Sequence, residues 1–314
     1  MRTFLVTGGA GFIGSHLCEA LLARGDRVRV LDDLSTGKRA NLPPQAELIV
    51  GDVADPASVR DAIAGTDGCF HLAAVASVEK GNRDWLGTHR TNLTGAIAVF
   101  DAARTVSAAS APPGSGPVPV VYASSAAVYG DPATVPIDES APVRPLSAYG
   151  ADKLGCELHA RVGAVVHGVP SVGMRFFNVY GPRQDPASPY SGVISIFCDR
   201  IKARQPIRIF GDGRQTRDFV YVGDVVRALV AAMERRPAEP SVFNVCTGRE
   251  TSVLDLARTV GELCGVAPEI EWCPPRNGEI RTSLGSPSAM NRHLGVVAET
   301  LLPDGLRATL AALS

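Results

Sequence analysis

The first half of the chain alternates short apolar runs with segments whose apolar residues recur at helical spacing. "RTFLVT" reads as a strand, and Phe12, Ile13, Leu17, Leu21 and Leu22 then mark one face of a helix over 12–24. Further strands follow in "RVRVLD", "AELIVGD", "DGCFHLAA" and "VPVVYASS", with helices over 56–64, 85–105 and 147–167, and then "SVGMRFFNVYG". Strands separated by helix-length segments pair in parallel through right-handed crossovers, which predicts an α/β fold with a doubly wound parallel sheet. Past "YGPRQDP" at 180–186 the alternation decays into shorter strands, "PIRIFGDG" and "EIEW", among short helices and Pro/Gly turns. That change predicts a smaller C-terminal domain forming one wall of a cleft. The expected extents are 1–175 with 217–245 for the first domain, and 176–216 with 246–314 for the second. "SAASAPPGSGP" at 107–117 reads as a flexible surface loop.

Composition narrows the classes. Of 314 residues, 45% are hydrophobic and 20% charged, ordinary for a globular protein, and a formal net charge of −1 gives no footprint for nucleic acid or a membrane surface. No apolar run reaches the length of a membrane span. The first strand begins too early to leave room for a cleavable signal, so the expected location is cytoplasmic. Seven cysteines, an odd number without CxxC pairs, include Cys18, Cys69, Cys156 and Cys246 in apolar surroundings, which read as reduced core thiols. Six histidines lack paired ligand spacing, so no metal site is expected, and His71 at a strand end reads as structural.

In "VTGGAGFIGSHL", Gly8, Gly11 and Gly14 stand between a strand and a helix. Glycines there allow a tight turn and close approach of backbone to a pyrophosphate, which the helix N-terminus then attracts. Asp32 ends the next strand, where a carboxylate can accept from an adenosine ribose and would repel a 2′-phosphate, favouring NAD over NADP. Lys38 and Arg39 nearby read as solvated charge. Asp52, in "GDV", suits either an adenine contact or an ordinary turn.

"SAYGADKLG" puts Tyr149 and Lys153 four apart on one helix face. A free phenol ionises near pH 10, and an adjacent ammonium favours the phenolate and makes it a usable base. Ser125, at the end of the fifth strand, can hydrogen-bond a substrate hydroxyl and help pass its proton.

"TGGAGFIG", "DDLSTGKRANL", "GDV", "HLAA", "SSAAVYG", "YGADK", "RFFNVYGPRQ" and "GDGRQTRDFVYVGDV" together resemble the extended short-chain dehydrogenase/reductase family. Within it they are most similar to nucleotide-sugar 4-epimerases of the UDP-glucose (UDP-galactose) 4-epimerase type. The resemblance implies a Rossmann-type domain with a smaller substrate domain, NAD as cofactor and a UDP-sugar as substrate. It also implies a homodimer built through the helices at 85–105 and 147–167. The implied cofactor contacts are Gly8, Gly11, Phe12, Ile13, Gly14, Asp32, Asp33, Ser35, Thr36, Gly37, Asp52, Val53, Leu72, Ala73, Ala74, Asn92, Ala123, Tyr149 and Lys153. Asn92 would steady loops near the nicotinamide, although hydrogen bonding at a helix N-terminus explains it as well. Ala76 stands where some members carry a lysine near the nicotinamide, which implies weaker cofactor retention.

Members that dehydrate or decarboxylate nucleotide sugars carry carboxylates just after the catalytic hydroxyl residue; here those places are Ala126 and Ala127. A methyl cannot deliver a proton to a leaving hydroxyl, so the chain is left with oxidation and re-reduction of one carbon. The resemblance implies Tyr149 as base, Ser125 bridging, and Lys153 tuning the tyrosine and holding the nicotinamide ribose. Asn178 would contact the diphosphate, Phe210 the uracil, Arg217 and Arg276 the phosphates, and Glu279 the uridine ribose. Ser283, small where hexose-restricted epimerases are bulky, would leave room for an N-acetyl group. Asn178 and "QDPAS" stand where UDP-glucuronate 4-epimerases usually have threonine and "RPDMA", which disfavours a carboxylated sugar. The alternatives are a nucleotide-sugar reductase or dehydrogenase, a UDP-glucuronate 4-epimerase and, more remotely, a non-catalytic NAD-binding sensor.

Overall fold

The computed structural model of the chain describes residues 1–106, 116–186, 192–235, 241–276 and 280–313. The loop expected at 107–117 lies, as far as residue 115, outside the described residues. From the N-terminus run β1 (Thr3–Thr7), α1 (Phe12–Ala23), β2 (Arg27–Asp32), β3 (Glu47–Val50), α2 (Pro56–Ile63), β4 (Gly68–His71), α3 (Val78–Arg83), α4 (Trp85–His89), α5 (Gly95–Thr105), β5 (Val120–Ser125), α6 (Ala148–His167) and β6 (Ser171–Phe176). The chain continues through β7 (Asn178–Tyr180), α7 (Val193–Lys202), β8 (Ile207–Phe210), β9 (Thr216–Tyr221), α8 (Val222–Arg235) and β10 (Ser241–Val245). It ends with β11 (Glu250–Ser252), α9 (Val253–Cys264), β12 (Ile270–Cys273), β13 (Thr282–Ser283) and α10 (Leu302–Ala312).

Seven strands form one sheet in the order β10-β6-β5-β4-β1-β2-β3. Strand β1 pairs in parallel with β2 on one side and β4 on the other, so the winding reverses at β1. Ligands of open parallel sheets bind beyond the strand ends at such a reversal. Strands β4 and β6 are buried along their whole length, as befits strands covered on both faces. The core around Leu5, Cys69, Val99, Phe100, Val120 and Tyr122 fixes β1, β4 and β5 beneath α5 and α6. Helix α6 is sharply delimited: Ser147 accepts from Gly150 N at its start, and Gly168 ends it at φ 68°.

In the second unit β9 pairs in parallel with β7 and β13 and antiparallel with β11, while β8 pairs with β12. Its core includes Tyr180, Ile194, Phe197, Ile209, Leu256 and Val260.

The two compact units comprise 1–130, 142–175 and 226–243 for the first, and 131–141, 176–225 and 244–314 for the second. They depart from the expected extents at three segments, the shortest being 244–245, where Asn244 Nδ2 donates to Ile137 O of the second unit. Residues 131–141 go with the second unit because Ile137 bridges to Gly285 and Glu139 accepts from Asn244 N at 2.7 Å. Residues 217–225 do so because β9 pairs there with β7, β11 and β13. "SVGMRFFNVYG" holds two strands, β6 in the large sheet and β7 beside β9. None of the seven cysteines is in a disulfide, and Cys18, Cys69, Cys156 and Cys246 are buried. Among the described residues no helix is long and apolar enough to cross a membrane.

Candidate active site

Strand β1 ends at Thr7 and the chain turns at Gly8 with φ 70°, a conformation glycine adopts without strain. A Cβ at Gly8 would stand 2.7 Å from Ala73 N, so the glycine turn lies directly against the segment Leu72–Ala74. Leu72 N donates to Thr7 O and Ala73 N to Thr7 Oγ1, fixing that segment to β1. A Cβ at Gly14 would collide with Gly8 O. Gly11 is the N-cap of α1 and no side chain caps that helix, so Phe12, Ile13 and Gly14 open it with N–H groups oriented outward along its axis.

Asp32, 7% exposed, accepts from Ala10 N and Leu34 N, both at 2.9 Å, tying the glycine turn to the loop after β2. Burial raises its pKa above the usual carboxylate value, against the opposing pull of those two donors. Asp33 folds back to accept from Ser35 N and Ser35 Oγ, leaving Ser35 and Thr36 exposed at the loop tip. A Cβ at Gly37 would reach within 2.8 Å of Asp32 Oδ1. Asp52 is engaged by Ala54 N at 2.8 Å and by Arg90 at 2.8 Å, which makes it a turn and ion-pair aspartate; Val53 beside it is buried. Lys38 and Arg39 are exposed.

Asn92 does not cap a helix end. It lies in a π-turn, Arg90–Thr94, between α4 and α5, a distortion common at functional sites. Its amide accepts from Val75 N at 2.7 Å and donates to Val75 O at 3.2 Å, holding the loop after β4. Ala76 in that loop is exposed. His71 bonds Thr7 Oγ1 through Nδ1 at 2.8 Å, and burial, with Lys153's charge second, lowers its pKa to about 3, so it is neutral.

Strand β5 delivers Ala123, Ser124 and Ser125 at its C-terminal end. Ser125 Oγ accepts from Ala127 N at 3.1 Å and so caps the turn Ala126–Val128, its own O–H remaining a donor. The methyls of Ala126 and Ala127 follow it, half-buried. Tyr149 stands half-buried in the first turn of α6, and Lys153, 2% exposed, lies one turn on. Lys153 Nζ donates to Ala123 O at 2.9 Å and sits 5.9 Å from the Tyr149 ring centroid. Gly150 lets the two elements meet: a Cβ there would be 2.6 Å from Ala127 O. Sequence reading missed Gly150, whose signal is only its place beside Tyr149. A glycine turn that a Cβ would fill, an uncapped helix start and a buried carboxylate ending β2 fit a dinucleotide.

In the second unit, β9 brings three candidates onto one sheet. Arg217 lies opposite Ser283 of β13, and Asn178 of β7 opposite Phe219. Arg217 Nη1 donates to Thr216 O and Ile280 O. Beside it, fully buried Asp218 accepts from Thr247 N, Thr247 Oγ1 and Gly248 N, a support that sequence reading also missed. The Arg276 guanidinium stacks 3.9 Å over the Phe210 ring, covering one of its faces. Gln215 Nε2 bonds Phe210 O, and Arg281 grips Asp212 through both oxygens, joining the β8–β9 loop to the start of β13. Glu279 lies outside the described residues.

The family model described as NAD dependent epimerase/dehydratase family matches residues 4–246. UDP-glucose 4-epimerase of Mycolicibacterium smegmatis is 37% identical over 319 residues, covering 99% of this chain and 97% of that protein. Among solved structures, UDP-glucose 4-epimerase of Thermotoga maritima with UDP-glucose superposes with a TM-score of 0.92 at 34% identity, covering 99% of this chain and 98% of the other. The Thermus thermophilus UDP-glucose 4-epimerase complex with NAD gives 0.89 at 36% identity, with the same coverage.

Proposed function

The chain belongs to the NAD-dependent epimerase/dehydratase family, and we propose that within it the chain is a 4-epimerase of UDP-hexoses, acting on UDP-glucose and UDP-galactose. The observation that carries this reading is Ser125, Tyr149 and Lys153 with two methyls, Ala126 and Ala127, where an eliminating enzyme needs an acid or base. The dinucleotide would be held by the Gly8–Gly14 turn, Asp32, the Leu72–Ala74 segment and Lys153. When bound, NAD supplies a reversible acceptor for the hydride on sugar carbon 4.

Tyr149 takes the proton of the 4-hydroxyl, relayed by Ser125, whose O–H is free to donate while Ala127 N holds its oxygen. Lys153 stands beside the phenol, its Nζ 5.9 Å from the ring centroid, in a position fixed by Ala123 O. Re-reduction from the other face needs a sugar that can turn while its nucleotide stays put. Arg217 and Arg276 suit the anchoring of a diphosphate, Asn178 lies near Arg217 on the same sheet, and the face of Phe210 turned from Arg276 suits a pyrimidine. Ser283, opposite Arg217, leaves room for an N-acetyl group, which extends the proposal to UDP-GlcNAc and UDP-GalNAc.

Leu158, Val162, Val165 and Val166 of α6, with Ile97 of α5, are exposed and apolar, which supports a homodimer through these helices. Light scattering should return twice 32.9 kDa; a single chain mass would overturn that. The function is tested by proton NMR of the protein with UDP-glucose, UDP-GlcNAc or UDP-glucuronate, with and without added NAD. A new anomeric signal of the 4-epimer in the first tube is expected. No epimer in any tube, even with NAD, would sink the reading.

A further inference from the structure

A buried carboxylate behind the reacting residues is used by no step above. Glu157 lies on α6 one turn beyond Lys153 and two beyond Tyr149, so the three share a helix face. Its side chain is 8% exposed and fully engaged. Ser124 Oγ donates to Oε1 at 2.5 Å, Arg175 Nε to the same oxygen at 2.8 Å, and Arg175 Nη2 to Oε2 at 2.7 Å. Arg175, from β6, donates onward to Tyr129 OH at 2.8 Å and stacks 4.8 Å over that ring. Tyr129 closes the turn that Ser125 caps. One carboxylate therefore joins α6, the end of β5, β6 and the turn after Ser125.

We propose that Glu157 and Ser124 are positioning residues that set the end of β5 against α6, and so place Ser125 and the Lys153 anchor relative to Tyr149. Ser124 is the only residue between Ala123, whose carbonyl fixes Lys153, and Ser125. Strand residues alternate in direction, so Ser124, 1% exposed, points inward to Glu157 while Ser125 is half-buried at the site. Two bonds thus run in parallel between the same strand end and the same helix: Lys153 to Ala123 O, and Ser124 to Glu157. With only the first, the strand end could pivot about that carbonyl; the second removes the pivot. An ion pair built for stability alone would need Arg175 and Glu157 but not the serine.

This inference rests on the reading of Tyr149 and Ser125 as reacting residues, and its test separates the two. Ser124→Ala cuts the bond between strand and helix and leaves the Glu157–Arg175 pair whole. Glu157→Gln keeps an oxygen for Ser124 and breaks the charge of the pair. For Ser124→Ala we expect kcat with UDP-glucose, per chain holding NAD, to fall about tenfold at unchanged KM, with a thermal midpoint close to the parent's. Glu157→Gln should show the reverse order, a lower midpoint and a smaller loss of kcat. Tyr149→Phe in the same series tests the underlying reading, since it should abolish turnover. Parent-like kcat in Ser124→Ala, or a loss confined to stability, overturns the positioning role even if Tyr149→Phe is inactive. Turnover that survives Tyr149→Phe overturns the reading of the site itself.

Discussion

Gly150→Ala is a small change that would strain the arrangement proposed for Ser125 and Tyr149. The added Cβ would stand 2.6 Å from Ala127 O and 3.1 Å from Pro145 Cβ. Ordinary contact begins near 3.4 Å, so the α6 start and the Ala126–Val128 turn must part by about 0.8 Å. Neither side can give cheaply, because Gly150 N is held by Ser147 Oγ and Ala127 N by Ser125 Oγ. Two effects oppose each other in stability. Overpacking costs about 1–3 kcal/mol, and replacing glycine by alanine in a helix returns up to about 1 kcal/mol. The net loss is therefore about 0–3 kcal/mol, within what a folded protein of this size tolerates. Activity has no such compensation, because a shift of about 1 Å between reacting groups costs roughly 100-fold in rate. The assay is UDP-galactose to UDP-glucose turnover, followed beside a thermal melt. We expect kcat to fall about 10- to 100-fold in a protein that still folds. A folded variant with parent-like kcat would refute the claim that the contact of the α6 start with this turn sets the catalytic geometry.

Two further predictions follow from particular side chains. His71 is neutral and buried with its pKa lowered to about 3, so the unfolded chain binds its proton more readily. Its contribution is complete above pH 6.5 and is lost as pH falls towards 3. His71→Asn should lower stability at pH 7, and that deficit should shrink by about 1.4 kcal/mol per pH unit below pH ~6 in urea titrations. A deficit that stays constant with pH would contradict the assignment. Ser283→Tyr should remove turnover of UDP-GlcNAc while sparing UDP-glucose, measured as the ratio of the two kcat/KM values; an unchanged ratio would show that position 283 does not select the sugar.

Local signals made the large sheet legible. The β1–α1 unit is written as an apolar run, three glycines and a helical stripe, and all of it lies within one stretch of chain. Tyr149 and Lys153 were legible for the same reason, since helical spacing alone puts them on one face. What periodicity does not carry is which distant residues meet. The partner of Asp52 is Arg90, thirty-eight positions on, and only the tertiary fold brings that guanidinium to the turn. The break between β6 and β7 is hard to see in "SVGMRFFNVYG" because no turn residue separates the strands, and their different hydrogen-bond partners lie far along the chain. The Phe210–Arg276 stack and the Ser124–Glu157–Arg175 network likewise join residues from separate elements. Residues 131–141 show the same limit at the scale of units, because a bridge to Gly285 decides where they belong.

In the proposed reaction one hydride leaves sugar carbon 4 and returns to that same carbon with inversion. This is tested most directly with UDP-glucose carrying deuterium at carbon 4, incubated in ordinary water and read by NMR and mass spectrometry. UDP-galactose should keep the deuterium at carbon 4 and gain no solvent proton there. Product bearing solvent hydrogen at that carbon would contradict the proposed reaction.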